Sequence, residues 1–318
     1  MCAEKKYPKN ILLAVDGSEH AYAASELIIR LPLTANCTIH TISVLIPRLA
    51  QLSATLTQVL KHTEQTLHQS QASVHSQLLT GDPGEIINTY AEEQRPDLTV
   101  IGAKGLRATL GILLGGVAQK VLEYSCCPVL VVRAPFQGLR RILLVMDGSG
   151  NSQAALHYLA NFSLPNTAQV HVMHVLSPSY ATDFRFYAWS DVMDYAPPTF
   201  TAEFDAQMQA QAAADRQKGE EIVQLSVQFL NEHGIEANGH LENGDAATQI
   251  LEYAQKEEID LIVAGSRGLG QIQSWLMGSV SRKLVNYTTC SVLIVKIPPG
   301  EPSQPPETVQ TEAAPGVQ

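Results

Sequence analysis

The sequence predicts an α/β protein made of two copies of one doubly wound domain. Two observations support this fold class. Continuous apolar runs alternate with segments whose apolar residues recur at helical spacing. The motif ILLxxDGS also occurs twice, at residues 11–18 and 142–149. Apolar runs of this kind are typical of strands in a parallel sheet that helices cover on both faces. Each copy is therefore expected to hold a five-stranded parallel sheet.

Each element of the first copy follows from a local pattern. Apolar runs predict strands at 11–15, 39–46, 74–79, 98–101 and 129–132. Helical spacing predicts helices between them, at 18–31, 49–71, 83–94 and 117–124. Ser18 can cap the first helix and Pro32 stops it. Pro83 suits the first position of a helix, where its missing N–H does no harm.

The second copy repeats the first with one long insertion. Matched residues lie 131 positions apart at Asp16 and Asp147 but 163 apart at Gly102 and Gly265, which gives the second copy 32 extra residues after its second strand. The domains are expected at 8–135 and 139–298. Residues 299–318 are rich in Pro, Glu, Gln and Thr and are expected to form a disordered tail.

The fifth strands of the two copies, at 129–132 and 292–295, are both short and apolar. Each would be an exposed sheet edge if it stood alone, and exposed edges invite pairing with other chains. We therefore expect the two strands to pair with each other about a pseudo-twofold axis.

Composition excludes several classes of function. The 318 residues carry a formal net charge of −10 without a basic cluster, which argues against binding to nucleic acid or to an anionic membrane. No apolar run approaches the roughly 20 residues of a membrane span. The N-terminus has no apolar segment typical of a signal peptide, so a cytoplasmic location is expected. The five cysteines have no CxxC spacing, so no metal site is predicted.

A glycine-rich stretch in the second copy is the strongest functional signal. The apolar run 261–264 ends at Gly265, and Gly268, Gly278 and Ser279 follow with the spacing G-x2-G-x9-G-S. Glycines let backbone N–H groups approach phosphate oxygens, and the start of the following helix favours an anion. The alternative is that the glycines only shape a turn.

This stretch resembles the nucleotide loop of the universal stress protein family. Its ATP-binding members carry the same glycine spacing, with Ser or Thr after the last glycine. The resemblance covers nearly the whole chain, twice. It implies Rossmann-like domains with strand order 3-2-1-4-5, ATP with Mg²⁺ as the ligand, and a nucleotide-responsive role in the stress response.

The resemblance and the spacing together give a set of candidate nucleotide-binding residues in the second copy. Asp147 ends the first strand and would face the glycine loop if strands 1 and 4 are adjacent; the alternative for this residue is a turn or a helix cap. Val175 matches the position that lines adenine in the family, although core packing explains a valine equally well. The full set is Asp147, Gly148, Ser149, Val175, Gly265, Arg267, Gly268, Gly278, Ser279, Val280 and Ser281.

The first copy departs from the family's pattern. Gly116 replaces the Ser or Thr, and Ala118 stands where Ser281 stands in the second copy. Two hydroxyl donors are thus expected to be missing, which predicts weaker binding at this site. Its candidate residues are Asp16, Gly17, Val44, Gly102, Lys104, Gly105 and Gly115.

Two other functions remain open at this level. The chain has no Walker GxxxxGK[ST] motif and no G-x-S-x-G nucleophile elbow. A slow ATP hydrolase is one alternative to a nucleotide-binding regulator. A scaffold whose loops are vestigial is the other.

The insertion is dense in Phe, Tyr and Trp between residues 178 and 200, and it follows the second strand. It can be a lid, a dimer contact or a cover over its own domain; aromatic enrichment favours a contact within a homodimer.

We expect replacement of Phe184, Phe186 and Trp189 by Ser to convert a dimer into a monomer, because each buried aromatic contributes roughly 1.5–3 kcal/mol. Light scattering measures this. A variant that stays dimeric, or a monomeric wild type, contradicts the prediction.

Overall fold

A computed structural model of the chain describes residues 8–106, 114–177, 202–269 and 277–297. Those residues form ten strands that alternate with helices, as the sequence predicts. The aromatic insertion and the C-terminal tail lie outside the described residues.

The first copy contains five strands and four α-helices within the described ranges. They are β1 (Asn10–Ala14), α1 (Glu19–Arg30), β2 (Thr38–Leu45), α2 (Ser53–Leu67), β3 (Ser73–Thr80), α3 (Pro83–Gln94), β4 (Leu98–Gly102), α4 (Gly116–Tyr124) and β5 (Val129–Val132). The helix predicted at 49–71 is shorter than expected. A 3₁₀ turn over Pro47–Leu52 precedes it, and the non-helical backbone of Leu49 puts a kink in this turn.

The second copy repeats this order. Its elements are β6 (Arg141–Val145), α5 (Gly150–Asn161), β7 (Gln169–Leu176), α6 (Ala202–Glu232), β8 (Ala237–Asn243), α7 (Ala246–Lys256), β9 (Leu261–Gly265), α8 (Ser279–Tyr287) and β10 (Ser291–Val295). The helix α6 has 31 residues, against 15 in α2. Part of the extra length of the second copy therefore lies in this helix.

The strands form one ten-stranded sheet in the order β3-β2-β1-β4-β5-β10-β9-β6-β7-β8. Within each copy the strands are parallel and follow the order 3-2-1-4-5. The resemblance to the family implied this order, and the structure confirms it.

The two copies meet through their fifth strands, as predicted. β5 and β10 are antiparallel, with Val131 opposite Val292 and Leu130 opposite Leu293. All four side chains are buried, because one hydrophobic core lies on each face of the sheet and both cores run through both copies. The sheet edges that would have been exposed are thus hidden at the centre of the molecule.

Within the described ranges, none of the helices has the length and apolar character required to span a membrane.

Candidate functional site

Each copy has a crevice at the carboxyl ends of its first and fourth strands. β1 and β4 are neighbours, and from them the sheet continues in opposite directions, to β2 and to β5. β6 and β9 are related in the same way. This point of reversal is where open α/β sheets bind ligands. The DGS turns and the glycine loops meet there.

The DGS turn shapes one wall of the crevice. Gly17 and Gly148 have φ of +83° and +78°, a conformation that only glycine adopts at low cost. Asp16 Oδ1 accepts the N–H of Ser18 at 3.0 Å, and Asp147 Oδ1 makes the matching bond to Ser149 at 2.9 Å. One oxygen of each aspartate therefore forms a turn, as one of the two alternatives predicted. The other oxygen points across the crevice.

The serine of each DGS turn is engaged within the protein. Ser18 Oγ accepts the N–H of Ala21 at 3.3 Å, and Ser149 Oγ accepts that of Ser152 at 3.2 Å. Ser149 also donates its hydroxyl to the carbonyl of Arg267 in the glycine loop, at 3.4 Å. Its role is to cap α5 and to hold the loop.

The first glycine of each loop is required by packing. A methyl group on Gly102 would lie 2.9 Å from the backbone of His20 and Ala21, at the start of α1. One on Gly265 would lie 2.6 Å from the carbonyl carbon of Asn151, at the start of α5. Only glycine lets the helix approach the strand end this closely.

The second glycine of each loop faces the aspartate. A methyl group on Gly105 would lie 2.5 Å from Asp16 Oδ2, and one on Gly268 would lie 2.6 Å from Asp147 Oδ2. In the first copy the same oxygen accepts the N–H of Leu106 at 3.0 Å. The sequence therefore predicted the juxtaposition of aspartate and glycine loop correctly.

The third glycine begins the helix that follows the loop. Gly115 and Gly278 are the N-cap residues of α4 and α8, and neither helix has a capping side chain. By contrast, Ser or Asp side chains cap α1, α3, α5 and α7. The first N–H groups of a helix have no acceptor within it, so α4 and α8 present theirs to the crevice.

The serines of α8 have different roles. Ser279 occupies the first helical position and is exposed, as a ligand contact requires. Ser281 is buried, and its hydroxyl donates to the carbonyl of Gly265 at 2.8 Å. This corrects the expectation that Ser281 offers a hydroxyl to a ligand. What the first copy lacks at Ala118 is therefore a hydroxyl of the kind that bonds to a backbone carbonyl in the second copy. At Gly116 it lacks the exposed hydroxyl that Ser279 carries.

A cavity of about 340 Å³ lies at the crevice of the first copy. This volume is within the range of small-molecule sites. Six of the seven candidate residues of this copy line it; Gly17 does not. The sequence analysis missed its apolar wall, which comes from the end of β2 and the residue after it, the 3₁₀ turn, α2 and α3. These residues are Leu45, Ile46, Leu49, Leu52, Leu56, Pro83 and Ile87. Helical spacing was the available signal, and core packing explains it equally well.

Polar side chains near this cavity are few. Lys104 is half-buried in the loop and lines the cavity. His20, also missed by the sequence analysis, accepts the N–H of Ala134 through Nδ1 at 2.8 Å. Burial, followed by the positive charges of Lys104 and Arg133, lowers the pKa of His20. The positive charge beside the cavity therefore comes from the Lys104 side chain.

The second copy has the same arrangement at its crevice. The residues involved are Asp147, Gly265, Arg267, Gly268, Gly278 and Ser279. Val280 occupies the second position of α8, and Val175 is half-buried and packs on the core. Residues 270–276 of this loop lie outside the described part of the chain.

Known proteins resemble this chain over most of its length. The model of the Universal stress protein family matches residues 8–133 and 138–296. The universal stress protein YxiE of Bacillus subtilis is 28% identical over 156 residues, which are 49% of this chain and 98% of that protein. A universal stress protein of Mycobacterium tuberculosis is 23% identical over 248 residues, which are 76% of this chain and 73% of that protein.

Solved structures share the fold. A universal stress protein from Archaeoglobus fulgidus superposes with a TM-score of 0.63 at 21% identity, covering 92% of this chain and 97% of that chain. A functionally unknown protein from Pseudomonas aeruginosa gives a TM-score of 0.59 at 18% identity, covering 91% and 92%.

The packing role of the first glycine can be tested by stability. We expect Gly265→Ala to lower the free energy of unfolding by about 1–3 kcal/mol, because the added methyl meets backbone atoms that cannot move aside easily. Gly116→Ala is the matched control: nothing lies within 4 Å of its added methyl, so stability is unchanged or raised by up to about 1 kcal/mol. Chemical denaturation measures both. Equal stability of the two variants contradicts the packing role.

Proposed function

This chain belongs to the universal stress protein family, and on that premise we propose that it is a nucleotide-responsive regulator whose two crevices bind adenine nucleotide, as ATP with Mg²⁺. The observation that carries the proposal is the pair of uncapped helices. α4 and α8 both begin at a glycine, at the crevice where ligands bind in this fold.

Phosphate recognition follows from the backbone. The helix dipole places partial positive charge at the start of α8, and the N–H groups of Ser279, Val280 and Ser281 have no intrahelical acceptor. The Ser279 hydroxyl adds a donor at the same place. Gly268 and Gly278 lack side chains that would keep phosphate oxygens at a distance. Arg267 in the loop adds positive charge beside them.

Nucleoside recognition is supported by the cavity of the first copy. Its wall is mostly apolar, as a purine base requires, and Val44 belongs to it. Asp16 stands at its polar edge. Each of its carboxylate oxygens can accept more than the one backbone N–H that it holds, so ribose hydroxyl groups have an acceptor.

The described residues contain no group of three or more His, Cys, Asp and Glu side chains that could hold a metal ion. Mg²⁺ usually keeps several water ligands and binds through substrate phosphates. In this proposal it therefore arrives with ATP and stays on the phosphates.

The two sites can be separated by matched variants of the full-length protein. Isolated domains are less suitable because each would expose its fifth strand. We expect Gly268→Asp to remove the tighter site and Gly105→Asp the weaker one, because each adds bulk and negative charge beside phosphate and the aspartate of its own crevice. Calorimetric titration with MgATP measures both sites. Unchanged binding in Gly268→Asp, or tighter binding at the first site, contradicts this ranking.

The difference between the sites has a specific cause in this proposal. Gly116→Ser should tighten the first site roughly tenfold, since one hydrogen bond to a charged group contributes about 1.5–3 kcal/mol and the position is open. Ala118→Ser is the control and should leave affinity unchanged, because the matching hydroxyl of Ser281 bonds to a backbone carbonyl. The same titration measures both variants. Equal effects would show that the exposed hydroxyl is not a phosphate ligand.

A further inference from the structure

Each domain has one cationic side chain that contacts the other domain. Arg133 and Lys296 directly follow β5 and β10, at matched positions of the two copies. Arg133 Nη2 donates to the carbonyl of Val285, near the end of α8, at 2.7 Å. Lys296 Nζ donates to the carbonyls of Glu123 and Ser125, at the end of α4, at 3.1 and 3.0 Å. Each domain therefore holds the carboxyl end of the other domain's last helix.

Burial makes these contacts strong local constraints. Arg133 is only 6% exposed, and burial lowers the pKa of Lys296 to about 8. A buried cation is stable only when hydrogen-bonded acceptors surround it. The carboxyl end of a helix supplies such acceptors, because its last carbonyls have no intrahelical donor and carry partial negative charge.

The first glycine loop is hydrogen-bonded to β5, the strand that Arg133 follows. The N–H of Ala103 donates to the carbonyl of Val132 at 2.8 Å, and Arg133 is the next residue. The carbonyl of Ala103 accepts the N–H of Gly115, the N-cap of α4, at 2.8 Å. Ala103 thus joins the first crevice to the strand that carries Arg133 and to the helix that Lys296 holds.

The second glycine loop has the same connections. The N–H of Ser266 donates to the carbonyl of Val295 at 2.8 Å, and Lys296 follows. The carbonyl of Ser266 accepts the N–H of Gly278, the N-cap of α8, at 2.8 Å. The bonds therefore close a ring through Ala103, Arg133, α8, Ser266, Lys296 and α4, which we call the interdomain ring.

We propose that the interdomain ring couples the two nucleotide sites, so that filling one crevice strengthens binding in the other. This inference rests on the proposed function, since it concerns the regulation of the same sites. It assigns Arg133 and Lys296 as positioning residues for the crevice of the opposite domain.

The sign of the coupling follows from the shared helices. An anion at the start of α8 and the Arg133 cation at its end both interact favourably with one helix dipole. Helix α8 has nine residues, so the two ends are about 13 Å apart. Fixing α8 fixes Arg133 and the preceding carbonyl of Val132, which positions Ala103 in the first loop. Binding of the second nucleotide then costs less conformational entropy, which gives positive cooperativity.

The test is a double-mutant cycle in the full-length protein, titrated with MgATP. We expect the affinity of the first site for MgATP to depend on the second site. It should be lower by about fivefold or more in Gly268→Asp, whose second site stays empty, than in the wild type with its second site filled. In a protein that carries Arg133→Met and Lys296→Met, the Gly268→Asp substitution should change first-site affinity less than twofold. Hydrogen exchange at Ala103 should slow on filling the second site only when the cations are present.

Two controls separate coupling from general damage. Lys283→Met removes an exposed cation from α8 that pairs with Asp245 at 3.5 Å, and it should keep the full coupling. Lys296→Arg keeps the cation and should retain coupling, while circular dichroism verifies folding. Independent sites, or coupling that survives without both cations, overturn this inference alone. A single site in the wild type overturns the inference together with the part of the proposed function that assigns nucleotide to both crevices. A wild type that binds no ATP overturns the proposed function and the inference together.

Discussion

The antiparallel pairing of β5 with β10 is the interaction on which the rest of the structure depends. It joins two parallel sheets into one and places Leu130 and Leu293 in one continuous core. Because the strands run in opposite directions, the end of each lies beside the last helix of the other domain. Arg133 and Lys296 reach their acceptors for that reason. The two domains therefore share one sheet and one pair of hydrophobic cores.

The glycine spacing serves packing, in addition to the ligand binding that we propose for it. Gly102 and Gly265 admit a helix, Gly105 and Gly268 admit a carboxylate, and Gly115 and Gly278 open the following helix. The loop of the first copy keeps all three glycines although it lacks the serine. Backbone geometry that packing requires can therefore persist where a side-chain donor is lost, and this explains why the first copy retains a crevice.

The sequence predicted the elements because apolar runs, the Ser18 cap and Pro83 act locally. The strand order required the resemblance to a family. Spacing could not show that the hydroxyl of Ser281 turns inward, because its direction depends on the close approach of α8 to Gly265. The apolar wall at Leu49 and Leu52 arises from a 3₁₀ turn that interrupts the predicted helix. The contacts of Arg133 depend on a partner far away in the chain and leave no local pattern.

The central claim is that the crevices bind adenine nucleotide, and the small molecules carried by the purified protein test it most directly. Mass spectrometry of the native protein and of its denatured extract should detect ATP or a related adenine nucleotide at up to two molecules per chain. The Gly105→Asp, Gly268→Asp double variant should carry none while keeping the same fold. A wild-type protein that carries no nucleotide and binds none when MgATP is added, or a double variant that retains it, contradicts the account.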